Sequence, residues 1–153
     1  MKESWEARWL RWRFNFFPAY RRTGARIVFI APDYREVRIR LALNWSTKNH
    51  NGTIFGGSLY AALDPVFVMM LFFILRNEKV IIWTKVSHID FLRPGRSTLY
   101  ANFILPESDI KNILLRLKTE NKVDCDFKVE LVDKSNVVTV RMQQTVSIRK
   151  SRS

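Results

Sequence analysis

A long apolar segment lies between residues 54 and 75, and its only charged side chain is Asp64. At about 1.5 Å per residue, such a segment is long enough for a transmembrane helix. An ionised carboxylate in the middle of a bilayer is costly, however, and Pro65 directly follows it. We therefore predict a helix over residues 54–76 that protein buries on all sides.

Six further segments are predicted to be strands. The first is nearly all apolar, and the alternation of apolar and polar residues in the second and the last two is typical of strands that are covered on one face. The six segments span residues 25–31, 36–45, 80–91, 98–105, 123–132 and 137–148, and the second places Trp45 on its apolar face. A shorter helix is predicted over residues 108–120, capped by Ser108 or Asp109. This order predicts an α+β fold in which an antiparallel sheet of about six strands wraps around the long helix.

Residues 3–17 predict an amphipathic N-terminal helix that ends at Pro18. It has two apolar faces, an aromatic stripe of Trp5, Trp9, Trp12 and Phe16 and a second patch of Leu10, Phe14 and Phe17. The second patch favours packing on the domain or on a partner, whereas tryptophan beside arginine also fits peripheral contact with a membrane. We expect one domain over residues 1–153, with this helix in 1–17 and the core in 18–150.

The charge of the chain restricts its partners. The 153 residues include 26 Lys+Arg and 14 Asp+Glu, a formal net charge of +12. This excess predicts either a solubilising surface or an anionic partner, which could be nucleic acid, an acidic membrane or a phosphate-bearing small molecule. Nucleic acid is disfavoured because the basic excess lies at the two ends and no RNP-like or helix-turn-helix signature is visible.

Cysteine and histidine are scarce. One cysteine allows no internal disulfide, and two histidines without metal-ligand spacing predict no metal site. The first residues lack the apolar core of a cleavable signal peptide. These features predict a reducing, cytoplasmic location.

The junction between the loop before the long helix and the helix itself carries the candidate chemistry. Gly56 and Gly57 lie at the helix start, where backbone N–H groups lack partners within the helix and a ligand oxygen can approach closely. Asp64 follows about two turns later, and burial would raise the pKa of this carboxyl towards that of a general base. A structural alternative is that Asp64 caps the second half of a helix broken at Pro65.

At this junction the sequence resembles two related families. The run N-G-T-I-F-G-G-S-L-Y-A-A-L-D over residues 51–64 is similar to the loop and central helix of hotdog-fold acyl-CoA thioesterases of the phenylacetic-acid-degradation type. The closer resemblance, across nearly the whole chain, is to the DUF4442 family, a hotdog branch often labelled as thioesterase. Its remaining motifs are matched by Pro18, Tyr20, Arg21, Gly24, Trp83, Lys85, Phe91, Pro94, Gly95 and Arg96.

The resemblance implies a hotdog homodimer, often paired into a homotetramer, with an active site at the subunit interface. Asp64 would be the catalytic carboxylate, acting on water or attacking directly, and the N–H groups of Gly56 and Gly57 would polarise the thioester carbonyl. The substrate would be a fatty or aromatic acyl-CoA, and no cofactor is implied beyond its coenzyme A. Substrate contacts are expected from Asn51, Thr53, Phe55 and Ser58, and contacts with the phosphates of coenzyme A from Lys85, Arg93 and Arg96.

Two other activities on the same fold stay open. Phe55 stands where the thioesterase pattern has histidine, which favours a non-catalytic protein that binds acyl-CoA or lipid. His50 precedes Asp64 at a spacing compatible with a 3-hydroxyacyl dehydratase. The proline-rich loop typical of those dehydratases is absent, so the sequence favours the thioesterase.

Overall fold

The computed structural model describes residues 2–151, and its elements follow the predicted order with one short helix added. The helices are α1 (Trp5–Phe16), α2 (Pro18–Arg21), α3 (Gly56–Ile74) and α4 (Glu107–Thr119). The strands are β1 (Ala25–Ile30), β2 (Glu36–Leu41), β3 (Val80–Phe91), β4 (Leu99–Ile104), β5 (Lys122–Val132) and β6 (Val138–Lys150). They form one antiparallel sheet in the order β1-β2-β4-β5-β6-β3, and α3 packs against β2, β3 and β6. The predicted α+β hotdog fold is confirmed.

The buried side of α3 forms the centre of the core. Its fully buried side chains include Leu59, Ala62, Leu63, Val66, Phe67 and Met70. The ring of Phe67 lies 5.0 Å from that of Phe103 and 4.9 Å from that of Phe127, measured between centroids. By length and composition α3 could cross a membrane. Burial against the sheet explains the apolar side chains on the inner side of α3.

One stripe along α3 is left uncovered, so the prediction that protein buries this helix on all sides is wrong for a single chain. Tyr60 and Phe72 are exposed, and Asp64 and Val68 between them are only partly buried. Residues four apart lie on one face of a helix, so these four side chains form a continuous surface. The only charged group of the apolar segment therefore lies on the side of α3 that the chain itself does not cover.

Helix α3 continues through Pro65, and Asp64 therefore does not cap a second helix. Pro65 has no N–H to donate to the carbonyl of Ala61, one turn before it. The next carbonyl, that of Ala62, accepts a hydrogen bond of 3.3 Å from the hydroxyl of Tyr20 in α2. Tyr20 is buried, and burial raises the pKa of its hydroxyl. This contact ties the N-terminal segment to the central helix.

Strand β2 ends at Leu41, four residues before the predicted end, and Trp45 is 90% exposed rather than on the apolar face. The side-chain oxygen of Asn44 accepts hydrogen bonds from the backbone N–H of Ser46 at 2.9 Å and of Thr47 at 3.2 Å. Such an asparagine turn competes with the strand ladder and bends the chain away from the sheet.

Helix α4 also begins differently from the prediction. Its N-cap residue is Pro106, whose side chain forms no capping hydrogen bond. The prediction that Ser108 or Asp109 caps this helix is therefore wrong. Glu107 and Asp109 instead lie in the first turn, where negative charge interacts favourably with the helix dipole.

Helix α1 covers one of the two edges of the sheet. The side-chain amide of Asn15 donates to the carbonyl of Ile27 in β1 at 2.9 Å and accepts from the N–H of Ile27 at 2.8 Å. The carboxylate of Glu3 accepts from the N–H of Ile30 at 3.1 Å. These bonds satisfy backbone groups that an edge strand leaves unpaired. At the other edge, β3 pairs only with β6 among the described residues, so this edge is open.

Candidate active site

Two backbone hydrogen bonds hold the loop that precedes α3. The N–H of Phe55 donates to the carbonyl of Thr47 at 2.7 Å, and the N–H of Ile54 donates to the carbonyl of Gly95 at 2.8 Å. Glycine suits position 95 because a Cβ there would lie only 3.3 Å from the side chain of Ile54. These contacts therefore fix the backbone orientation of the loop at Gly56, where the helix begins.

Gly56 and Gly57 occupy the first two positions of α3, where N–H groups have no acceptor within the helix. Among residues 2–151, no other group accepts a hydrogen bond from either of them. A Cβ on Gly56 would lie 3.6 Å from the ring of Phe91, whereas a Cβ on Gly57 would overlap the ring of Phe55. The Gly56 side of the helix start is thus open as far as Phe91, whereas the ring of Phe55 fills the space that a side chain on Gly57 would need.

Asp64 is partly buried and is held by the side-chain amide of Gln144 in β6. The Nε2 of Gln144 donates to Oδ1 of Asp64 and to its backbone carbonyl, each at 3.0 Å. The hydroxyls of Tyr60 and Thr84 also act on the carboxylate as hydrogen-bond donors, which favours the charged form. Burial has the larger, opposite effect and raises the pKa of Asp64 above its ordinary value. This is the change that suits a carboxylate to proton transfer.

A bulge in β3 brings two polar side chains to the Asp64 side of the sheet. The register of β3 with β6 shifts across Lys85, which is the extra residue. In a regular strand, residues three apart point to opposite faces. Here Thr84 contacts Asp64, and Ser87 accepts a hydrogen bond of 3.2 Å from Nε2 of Gln144.

The residues that hold Asp64 were not among the predicted site residues, although the sequence pattern of β6 marks Gln144. Gln144 is a polar residue in alternation with Met142 and Val146, on the buried face of β6, and only 1% of its surface is exposed. Its Oε1 accepts no hydrogen bond within the described chain. An unpaired buried amide oxygen is uncommon, and a role at a functional site is one physical reason for it.

The profile of the family described as "Domain of unknown function (DUF4442)" matches residues 7–148 of the sequence. The chain belongs to this family. Among curated protein sequences, none is significantly similar to this DUF4442 protein.

Solved structures share the fold at low sequence identity. PA5026 of Pseudomonas aeruginosa, a protein of unknown function described as a probable thioesterase, has a TM-score of 0.83 at 19% identity, over 94% of this chain and 95% of that chain. Thioesterase HI1161 of Haemophilus influenzae has a TM-score of 0.70 at 15% identity, over 97% and 94%. PaaI, from the phenylacetic acid degradation operon of E. coli, has a TM-score of 0.62 at 15% identity, over 95% and 94%. At such identities the likeness shows the common fold.

The structure distributes the predicted substrate-contact residues unevenly around the helix start. Asn51 and Phe55 are exposed, and Ser58 is buried in the first turn of α3. Thr53 is buried, and its hydroxyl lies 3.0 Å from Nδ2 of Asn49, so it belongs to the hydrogen-bond network of the loop itself. The roles of these residues as substrate contacts stay predictions.

The three predicted phosphate-binding residues of the DUF4442 protein differ in their present contacts. The Nζ of Lys85 lies 2.6 Å from a carboxylate oxygen of Asp124, and Arg93 donates to the carbonyl of Val138 at 2.6 Å. Arg96 is exposed and makes no ion pair within residues 2–151. Over the same residues, no group of three or more His, Cys, Asp or Glu side chains is placed to hold a metal ion.

We expect Asp64→Asn to increase the free energy of unfolding near neutral pH. The amide oxygen of asparagine can still accept from Gln144, while the cost of a desolvated charge disappears. Because the folded-state pKa of Asp64 lies above its unfolded value, the wild type loses stability relative to the variant as pH rises. The difference should vanish below the unfolded pKa of about 3.9. Urea unfolding at a series of pH values measures it, and a difference that does not change with pH would contradict this account.

Proposed function

We propose that this DUF4442 protein is an acyl-CoA thioesterase in which Asp64 and the N–H of Gly56 act on the thioester. One observation carries the proposal. Helix α3 has an unpaired N–H at its start and, on its uncovered side, a partly buried carboxylate whose pKa is raised. The thioesterase descriptions of structures with the same fold support this assignment.

The reaction needs a base and a donor for the developing negative charge. Asp64 would take a proton from a water molecule as the water oxygen attacks the thioester carbonyl carbon, or its carboxylate would attack that carbon directly. The carbonyl oxygen becomes an oxyanion, which the N–H of Gly56 stabilises, assisted by Gly57. In the water route, the C–S bond breaks, coenzyme A leaves as a thiolate and takes the proton from Asp64, and the carboxylic acid remains. In the direct route, C–S cleavage leaves a mixed anhydride between the acyl group and Asp64. A water molecule then hydrolyses this anhydride to the carboxylic acid and free Asp64, and one proton passes to the thiolate.

The spacing along α3 argues that two copies of the chain complete each site. Eight residues separate Gly56 from Asp64, which is about 12 Å along the helix axis, and N–H groups at a helix start point away from the helix body. One thioester carbonyl cannot contact both in a single chain. In a two-fold dimer with its axis near Tyr60, midway between them, Gly56 of each copy would lie opposite Asp64 of the other.

The open edge of the sheet supports such a dimer. β3 has twelve residues, none of them fully buried, and it borders the uncovered stripe of α3. A long unpaired edge strand is a template for pairing with another chain. Phe55, Tyr60 and Phe91 are exposed around the helix start, and they provide apolar surroundings suited to a fatty or aromatic acyl group. Arg93 and Arg96, just beyond β3, would meet the phosphates of coenzyme A.

A second candidate is a protein that binds acyl-CoA without hydrolysing it. Phe55 stands where the thioesterase pattern has histidine, and its ring fills the space that a side chain on Gly57 would need. The dehydratase alternative has less support, because His50 is exposed and is not among the groups that hydrogen bond to Asp64 within the described chain.

Thiol release from a panel of acyl-CoAs, short, long and aromatic, tests the activity. We expect turnover by the wild type, and a loss of at least about 10²-fold in Asp64→Asn because the base is removed. Asp126→Asn, which alters an exposed aspartate on β5, is the matched control and should retain full activity. Tight acyl-CoA binding with no release from any substrate would favour the binding protein, and hydration of an enoyl-CoA would favour the dehydratase.

Proline at position 56 tests the N–H donor. Gly56 is the first residue of α3, where proline is well tolerated, and Phe55 before it has the extended backbone that proline requires. Gly56→Pro should therefore fold, yet it lacks the N–H and should lose about 10²–10³-fold in kcat. Gly56→Ala adds the same Cβ but keeps the N–H, so the difference between the two variants measures the donor itself. Equal activity in both would remove Gly56 from the mechanism.

Mixing two inactive variants tests whether sites form between copies. Asp64→Asn and Gly56→Pro chains, unfolded together and refolded, should give mixed dimers in which one site has both intact residues. With random pairing, about one quarter of the wild-type activity should return. If both residues act within one chain, no activity returns. The mass of the assembly, against 18.1 kDa for one chain, is measured in parallel by light scattering.

A further inference from the structure

The outward face of α1 has no role in the proposed function. Four aromatic side chains on it, each between 52% and 77% exposed, are Trp5, Trp9, Trp12 and Phe16. Their spacing places them along one side of the helix. Monomeric soluble proteins rarely expose a contiguous patch of this kind unless it makes contact with something else.

The opposite side of α1 attaches this face firmly to the sheet. Ala7 and Leu10 are buried, and the ring of Phe14 lies 4.8 Å from that of Tyr20. The hydrogen bonds of Asn15 and Glu3 to β1 add a second attachment along the strand edge. The aromatic side chains are therefore displayed by a fixed helix, and no other part of the described chain covers them.

Arginine side chains lie among the aromatic rings. The guanidinium of Arg13 lies 4.5 Å from the ring centroid of Trp9, and that of Arg21 lies 5.9 Å from that of Phe16. Arg8 borders a shallow hollow with Trp5, Trp9 and Trp12, and Arg22 borders a second one with Phe16. None of these four arginines makes an ion pair within residues 2–151, in contrast to Arg11, which pairs with Glu3. Residues 1–26 contain seven basic and two acidic side chains.

We propose that this aromatic–arginine face, formed by Trp5, Arg8, Trp9, Trp12, Arg13 and Phe16, docks on membranes that contain anionic lipid. A protein partner would strip the guanidinium groups of water, which is costly unless each finds a carboxylate. At a bilayer surface they stay hydrated beside lipid phosphates, and tryptophan favours the same depth. Helix α1 is about 18 Å long, too short to span a bilayer but suited to lie in its surface.

The loop that carries Trp45 extends the same surface. Ser46 borders the hollow that also contains Phe16, Pro18 and Arg22, and the preceding Trp45 is almost fully exposed. Four of the five tryptophans of the chain are thus exposed at or beside this face, and only Trp83 lies elsewhere, in β3. Tryptophan fluorescence will therefore report directly on contact with lipid.

Vesicle flotation with the full chain tests the proposal. We expect binding to vesicles of phosphatidylcholine mixed with phosphatidylglycerol, weak or no binding to phosphatidylcholine alone, and a blue shift of tryptophan fluorescence on binding. Arg8→Gln combined with Arg13→Gln should bind about thirtyfold more weakly, since each basic residue near an anionic surface contributes about a factor of five. Trp9→Ala combined with Trp12→Ala should abolish the blue shift and most of the binding.

Matched controls change the same chemistry elsewhere on the surface. Lys128→Gln combined with Lys134→Gln removes two exposed charges, and Leu115→Ala removes an exposed apolar side chain on α4. Both should bind vesicles like the wild type. Because all the altered residues are exposed, each variant should keep the thermal unfolding temperature of the wild type, which is measured alongside.

Three results would overturn the proposal. The first is the absence of wild-type binding to either kind of vesicle. The second is equal loss of binding in the Lys128 and Lys134 control, which would indicate nonspecific attraction by the net charge. The third is binding of a single-stranded oligonucleotide, or a change of oligomeric state, that depends on Trp9 and Trp12 while vesicles do not bind. The test uses no substrate, so its outcome is independent of the thioesterase proposal.

Discussion

The removal of α3 from water is the interaction on which the rest of this structure depends. Its buried side chains fill the space inside the sheet, with Phe67 between Phe103 and Phe127, and burial of large apolar side chains is the main favourable contribution to folding. The same packing imposes a constraint on Asp64, because a carboxylate on this helix must lose part of its hydration. The amide of Gln144 and the nearby hydroxyls stabilise the charged carboxylate only in part. The pKa of Asp64 therefore stays above its ordinary value. A carboxylate with a raised pKa is a stronger base and accepts a proton more readily.

The two edges of the sheet differ, because helix α1 covers one of them and the other is open. At β1, the side chains of Asn15 and Glu3 occupy backbone groups of the edge and hold α1 against it. At β3, the edge is open and lies beside the uncovered stripe of α3. The sheet order places these edges at opposite ends. The proposed dimer at β3 and the proposed membrane contact through α1 therefore use different surfaces and do not compete.

The sequence predicted the fold well because its strongest signals are periodic. Alternation in the strands and the long apolar run of α3 each depend on which face is buried, and burial leaves a regular pattern. Predictions were wrong where a local polar interaction replaced that pattern. The turn at Asn44 ends β2 before Trp45, and the N-cap of α4 is Pro106 rather than Ser108 or Asp109. The stripe along α3 was also missed, because an apolar residue on an uncovered face looks the same in sequence as one facing the core.

By itself the sequence determined the central helix, the order of helices and strands along the chain, and the identities of Gly56, Gly57 and Asp64 as candidates. A lone charge and paired glycines stand out in an apolar segment. Only the tertiary structure decided what surrounds Asp64. The bulge at Lys85 turns Thr84 and Ser87 to the same side, and the pairing of β3 with β6 sets Ser87 beside Gln144. Such contacts join residues far apart in the chain. Their register depends on hydrogen bonds between strands and on one inserted residue, and neither leaves a local pattern in sequence.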